Sequence, residues 1–103
     1  MRGRDVDRLT ELRTAIADNT VPGGSAFGRA AAEVILLTLT TDPELVGERL
    51  SRTLDETTDW LIATKPSMTS VRTVSELALS AVKTHGRLGV VAAAIDGLLE
   101  PRG

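Results

Sequence analysis

His85 is the only imidazole the chain offers for proton transfer, and it stands beside Gly86. A catalytic triad needs a histidine held between an activated hydroxyl and an acid, and no such motif surrounds this one. A histidine placed at the negative end of a helix dipole is the simpler reading. Asp55, Glu56 and Asp59 form an acidic group. Asp55 and Asp59 are four residues apart and share one helix face, an arrangement from which paired carboxylates could exchange protons. On a polar face the same spacing describes a solvated surface. With no cysteine in the chain, a thiolate nucleophile, a disulfide framework and a cysteine zinc site are all excluded. One histidine with scattered acids is poor material for a zinc site of any other kind. No catalytic residue, metal or cofactor is therefore expected.

Two loops carry more. Pro22-Gly23-Gly24-Ser25 leads into an alanine-rich stretch. Exposed amides at a helix start, together with glycines that let a ligand come close, can hold an anion. The same residues also make an ordinary glycine turn with Ser25 as the N-cap. Neither a Walker motif nor a dinucleotide fingerprint is present. Thr64-Lys65-Pro66-Ser67-Met68 brings a cation and two hydroxyls to a second helix start. Lys65 could meet a phosphate as a point charge, or could simply be solvated at a corner between helices.

The elements that would position these loops are helices. Val6, Leu9, Leu12 and Ile16 recur at helical spacing and predict a helix over 5–18. The almost uniformly apolar stretch 25–39 predicts a second, buried at the centre of a bundle. Asp42-Pro43-Glu44 has the composition of a helix start, and the third helix is expected over 43–64. Val46, Leu50, Leu54 and Leu61 line its inner face, and Pro66 biases Lys65 away from helical geometry. A fourth is expected over 67–84 on Val71, Val74, Ala78 and Val82, with Gly86 as its terminator. A fifth follows over 87–99, with Leu88, Val91, Ile95 and Leu98 inward. No pair of segments alternates well enough to form strands. The expectation is one all-α domain, residues 1–103, a compact bundle of about five helices.

Composition agrees. The chain is 42% hydrophobic, yet Phe27 and Trp60 are its only aromatic residues. The core must therefore be aliphatic, with small residues allowing helices to pack closely. Twelve basic and fourteen acidic residues leave a net charge of −2, which gives no basic footprint for nucleic acid. No apolar stretch is long enough to span a bilayer. Nothing at the N-terminus reads as a secretory signal. With cysteine absent, a cytoplasmic location is expected.

Taken together, Gly23-Gly24-Ser25-Ala26-Phe27-Gly28-Arg29-Ala30-Ala31-Ala32-Glu33 and, about thirty residues later, Ala63-Thr64-Lys65-Pro66-Ser67-Met68 resemble a known pattern. It is that of the N-terminal helical domain of the superfamily containing the α, β and δ subunits of translation initiation factor 2B, ribose-1,5-bisphosphate isomerase and methylthioribose-1-phosphate isomerase. The resemblance spans roughly residues 9–82. In the isomerase branches the two turns help to hold the substrate phosphate. By position this implicates Gly23, Gly24, Ser25, Lys65 and Ser67 here. Two positions depart from the pattern. Pro22 stands where the family has an arginine, which removes both a charge and an N–H donor. Lys65 replaces an arginine, which keeps the charge but loses the bidentate fork. The family's catalytic cysteine and aspartate belong to a Rossmann-like domain that these 103 residues do not contain. Taken alone, the chain is expected to be non-catalytic and to act in self-association or in docking a partner. That partner would be a second copy or a protein carrying a Rossmann-like domain. Positions such as Leu36, Leu39, Trp60 and Val90 are expected to exceed what the helices can cover. The other reading is the phosphosugar-binding half of an aldose–ketose phosphate isomerase, completed by a Rossmann-like domain in cis or trans.

Overall fold

The apolar period of about 3.6 residues becomes four helices in a computed structural model that describes residues 2–20 and 24–99, with side chains from 5–20 and 26–99. They are α1 (Arg2–Ala17), α2 (Gly24–Thr41), α3 (Gly47–Thr64) and α4 (Thr69–Leu99), with no strand among the described residues. The all-α architecture agrees with the sequence; the count is four rather than about five. α2 packs against each of the other three. Its Phe27, Ala31, Ala32, Val34, Ile35 and Leu39 are buried, so it forms the axis of the core. Each burial of such a side chain contributes roughly 1.5–3 kcal/mol, less for alanine.

α1 ends where Asn19 takes a φ of 60°. Thr20 N–H donates to Ala15 O and Asn19 N–H to Ile16 O, the paired bonds of a Schellman cap. Leu12 and Ile16 are buried, whereas Val6 is exposed and takes no part in the core.

The expected start of the third helix is displaced. Pro43 and Glu44 lie in a turn, and α3 begins only at Gly47, with Val46 as an N-cap that makes no side-chain bond. Asp42 Oδ1 accepts from Glu44 N–H at 3.2 Å, and Asp42 O accepts from Leu45 N–H at 3.1 Å. The side chain that could have capped a helix closes a local turn instead. That turn is fixed from outside by Arg87. Its Nη2 donates to Leu39 O at 2.6 Å, and its Nη1 donates to Asp42 O at 3.0 Å and to Leu45 O at 2.9 Å. Leu45 is buried while Val46 is exposed, so the apolar row of α3 starts at Leu50.

The stretches expected as separate fourth and fifth helices are two arms of α4. Gly86, at φ 62° and ψ −143°, breaks the helical path in a region essentially reserved for glycine. The arms, 69–85 and 87–99, then run back along each other. A Cβ placed on Gly89 would stand 2.6 Å from Ala81 O, and one on Gly97 would stand 3.0 Å from Ala32 Cβ and 3.6 Å from Val74 Cγ2. In a straight helix residues 74 and 97 would be about 34 Å apart.

This close approach decides which face of the second arm turns inward. Val90, Ala94 and Gly97 are buried. Leu88 and Ile95, expected inside, are exposed, and Val91 and Leu98 are partly buried. Only the row of smaller side chains fits between α2 and the first arm.

Candidate functional site

Lys65 follows α3 as its C-cap with non-helical backbone (φ −132°, ψ 67°), the α region being disfavoured before Pro66, and its N–H donates to Leu61 O. Its side chain reaches residues on α1's end and on α2. Nζ donates to Asn19 Oδ1 at 3.1 Å and lies 5.3 Å from the centre of the Phe27 ring, within cation–π range. The second turn thus touches both flanks of the first. Ser67, by contrast, is exposed. Gly24 is already the first residue of α2, so Ser25 sits within the first turn rather than capping it. Gly23 and Pro22 lie outside the described residues.

A cleft of about 350 Å³ opens between α1 and the start of α2, lined by Arg8, Leu12, Ala15, Thr20, Ala26, Arg29, Ala30 and Glu33. Lys65 is not among its walls. The floor is apolar. At the rim Arg8 forms a two-pronged pair with Glu33, Nε to Oε2 at 2.8 Å and Nη2 to Oε1 at 3.2 Å. The hydrogen bond to Glu33, and then the charge of Glu33, raise the pKa of Arg8 above its usual value. Arg29 is exposed and has no ion-pair partner among the described residues. The rim therefore carries two cations against one anion.

No family model, curated protein or solved structure matches this chain.

Asp55, Glu56 and Asp59 are exposed on the outer side of α3, as is His85 at the end of the first arm of α4. No group of three or more His, Asp or Glu among the described residues is placed to hold a metal ion. No helix among them is long and apolar enough to cross a membrane. Ser75 Oγ is fully buried without a hydrogen-bond partner, but it lies outside the cleft. Of the apolar positions expected to remain uncovered, Leu39 and Val90 are fully buried, and Leu36 and Trp60 pack against the core. Arg13 covers the Trp60 ring at 4.4 Å.

The two most exposed large apolar side chains, Leu88 and Leu99, are elsewhere, and Val6, Val46 and Leu77 are exposed singly. On the second arm of α4, Leu88 is 81% exposed, Leu99 76% and Ile95 42%. Ala92, between them on the same face, is exposed as well. The row could have been found in the sequence. A period of 3.6 fits both Leu88/Ala92/Ile95/Leu99 and Val90/Ala94/Gly97, and the bulkier row is the one too large for a close helix pair.

Proposed function

We propose that this chain is a non-catalytic helical domain that acts in the cytoplasm by self-association or by docking a protein partner. The supporting observation is the apolar row on the second arm of α4. Three large aliphatic side chains there face water, although the core has room only for the small face of the same helix. Isolated exposed leucines are ordinary, but a row on one helix face is the form in which helical partners are recognised. Light scattering over a concentration series tests the reading. The expected mass climbs from 10.9 kDa toward twice that value, or the protein co-purifies with a partner in fixed ratio. A strictly monomeric mass at high concentration with no partner overturns it.

The phosphosugar reading is favoured by different observations, the reach of Lys65 to Asn19 and Phe27 and a separate cleft lined by Arg8 and Arg29. In it, this domain is the helical half of a sugar-phosphate isomerase related to the initiation factor 2B group, and a Rossmann-like domain supplies the chemistry. A phosphorus NMR titration with a sugar phosphate, with and without such a domain, is the test. Binding that Lys65→Ala leaves unchanged, or none in either state, removes this reading.

A further inference from the structure

We infer that the occupant of the exposed row on α4 is the same row of a second copy of this chain, the two arms lying antiparallel across a two-fold axis. The inference rests on the interaction reading above and names its partner.

The spacing comes first. Leu88, Ala92, Ile95 and Leu99 are separated by four, three and four residues, the alternation that forms the seam of paired helices. A helix is therefore the element that fits. The order of sizes comes second. The row is large, small, large, large, and positions 88 with 99 and 92 with 95 are equidistant from its midpoint. An antiparallel copy therefore sets Leu88 against the partner's Leu99 and Ala92 against the partner's Ile95. Large side chains meet at the two ends, and each isoleucine faces the space left by an alanine. A parallel copy would set alanine against alanine and leave a gap, which close packing disfavours.

Charge comes third. A two-fold axis brings a patch onto itself, so like charges on it would repel. Between 88 and 99 Asp96 is the single charged residue, and it is already engaged in an interaction within the chain. The Arg87 guanidinium is committed to three backbone carbonyls. The four side chains of the row are themselves uncharged, so the row brings no like charges of its own against a copy of itself.

The area sets the strength. Leu88, Ile95 and Leu99 at these exposures offer roughly 400 Å² per copy, about half the ~800 Å² per partner of a standard interface. A weak dimer in rapid exchange is expected.

Sedimentation equilibrium from about 10 µM to 1 mM on the full chain tests this, with Leu88→Glu and Leu99→Lys as variants. Both positions are solvent-exposed, so each variant should keep the helical circular dichroism of the wild type. Each alone should weaken the dimer by about 10- to 100-fold, from burying a charge in an apolar seam. Mixed together, they should dimerise again, because the antiparallel seam places glutamate against lysine at one end and leucine against leucine at the other. A dimer that both single variants retain, or a mixture that stays monomeric, overturns the antiparallel seam and leaves self-association standing. A wild type that is monomeric throughout the range overturns the seam and self-association together.

Discussion

Arg87 shows how much one side chain can hold. Its guanidinium bonds Leu39 O near the end of α2 and two carbonyls of the connection to α3, groups that a helix end and a turn leave short of donors. Hydrogen bonds to a charged group contribute about 1.5–3 kcal/mol each, and losing the donor leaves partly buried acceptors unpaired. Arg87→Ala is therefore expected to lower the unfolding free energy by about 2–4 kcal/mol, read as a lower urea midpoint at unchanged m-value. Arg87→Lys should recover part of this, since an ammonium cannot span three acceptors with a fixed fork. The Arg8–Glu33 pair is closer to ideal in shape, but the Arg8 side chain is half exposed. Solvent screening holds such a pair below about 1 kcal/mol. Nothing local in the sequence marks Arg87. Its three acceptors lie more than forty residues away, and only the folded chain brings them together. Lys65 was more legible, because the proline after it disfavours helical backbone there, although its contact with Asn19 joins residues 46 apart in the chain.

At the scale of elements, the sequence was most legible where a long period left one choice of face. α2 and the first arm of α4 bury the residues their spacing indicates. It was least legible where two choices were open. Asp42-Pro43-Glu44 suits a helix start and a turn equally, and Arg87 decides for the turn. The second arm of α4 has two apolar rows, and the space beside α2 selects the smaller. Gly89 is part of that selection. Helix propensity alone would have Gly89→Ala stabilise the arm by about 1 kcal/mol. With backbone oxygen 2.6 Å from the new methyl position, overpacking wins, and a loss of about 1–3 kcal/mol is expected. Gly97→Ala, whose one close approach is to the Ala32 methyl at 3.0 Å, with the Val74 methyls at ordinary contact distance, should cost less. Thermal unfolding of the two variants checks the order.

The whole molecule is 33 × 29 × 24 Å, and one joint keeps it within those limits. Unbroken, the 31 residues of α4 would make a rod about 46 Å long. Such a rod overshoots the body it belongs to, so its second arm could cover α2 only in another molecule. Gly86→Ala pushes in that direction, because alanine is strained in the bent form and favours the straight one. The variant, refolded at high concentration, is expected to yield a dimer that separates slowly on dilution and runs as a distinct peak in gel filtration. A variant that remains a monomer under those conditions would show that the packing of the arms outweighs the joint. The residue that lets this small domain close on itself is thus also the one that decides whether its last helix stays at home or is exchanged between neighbours.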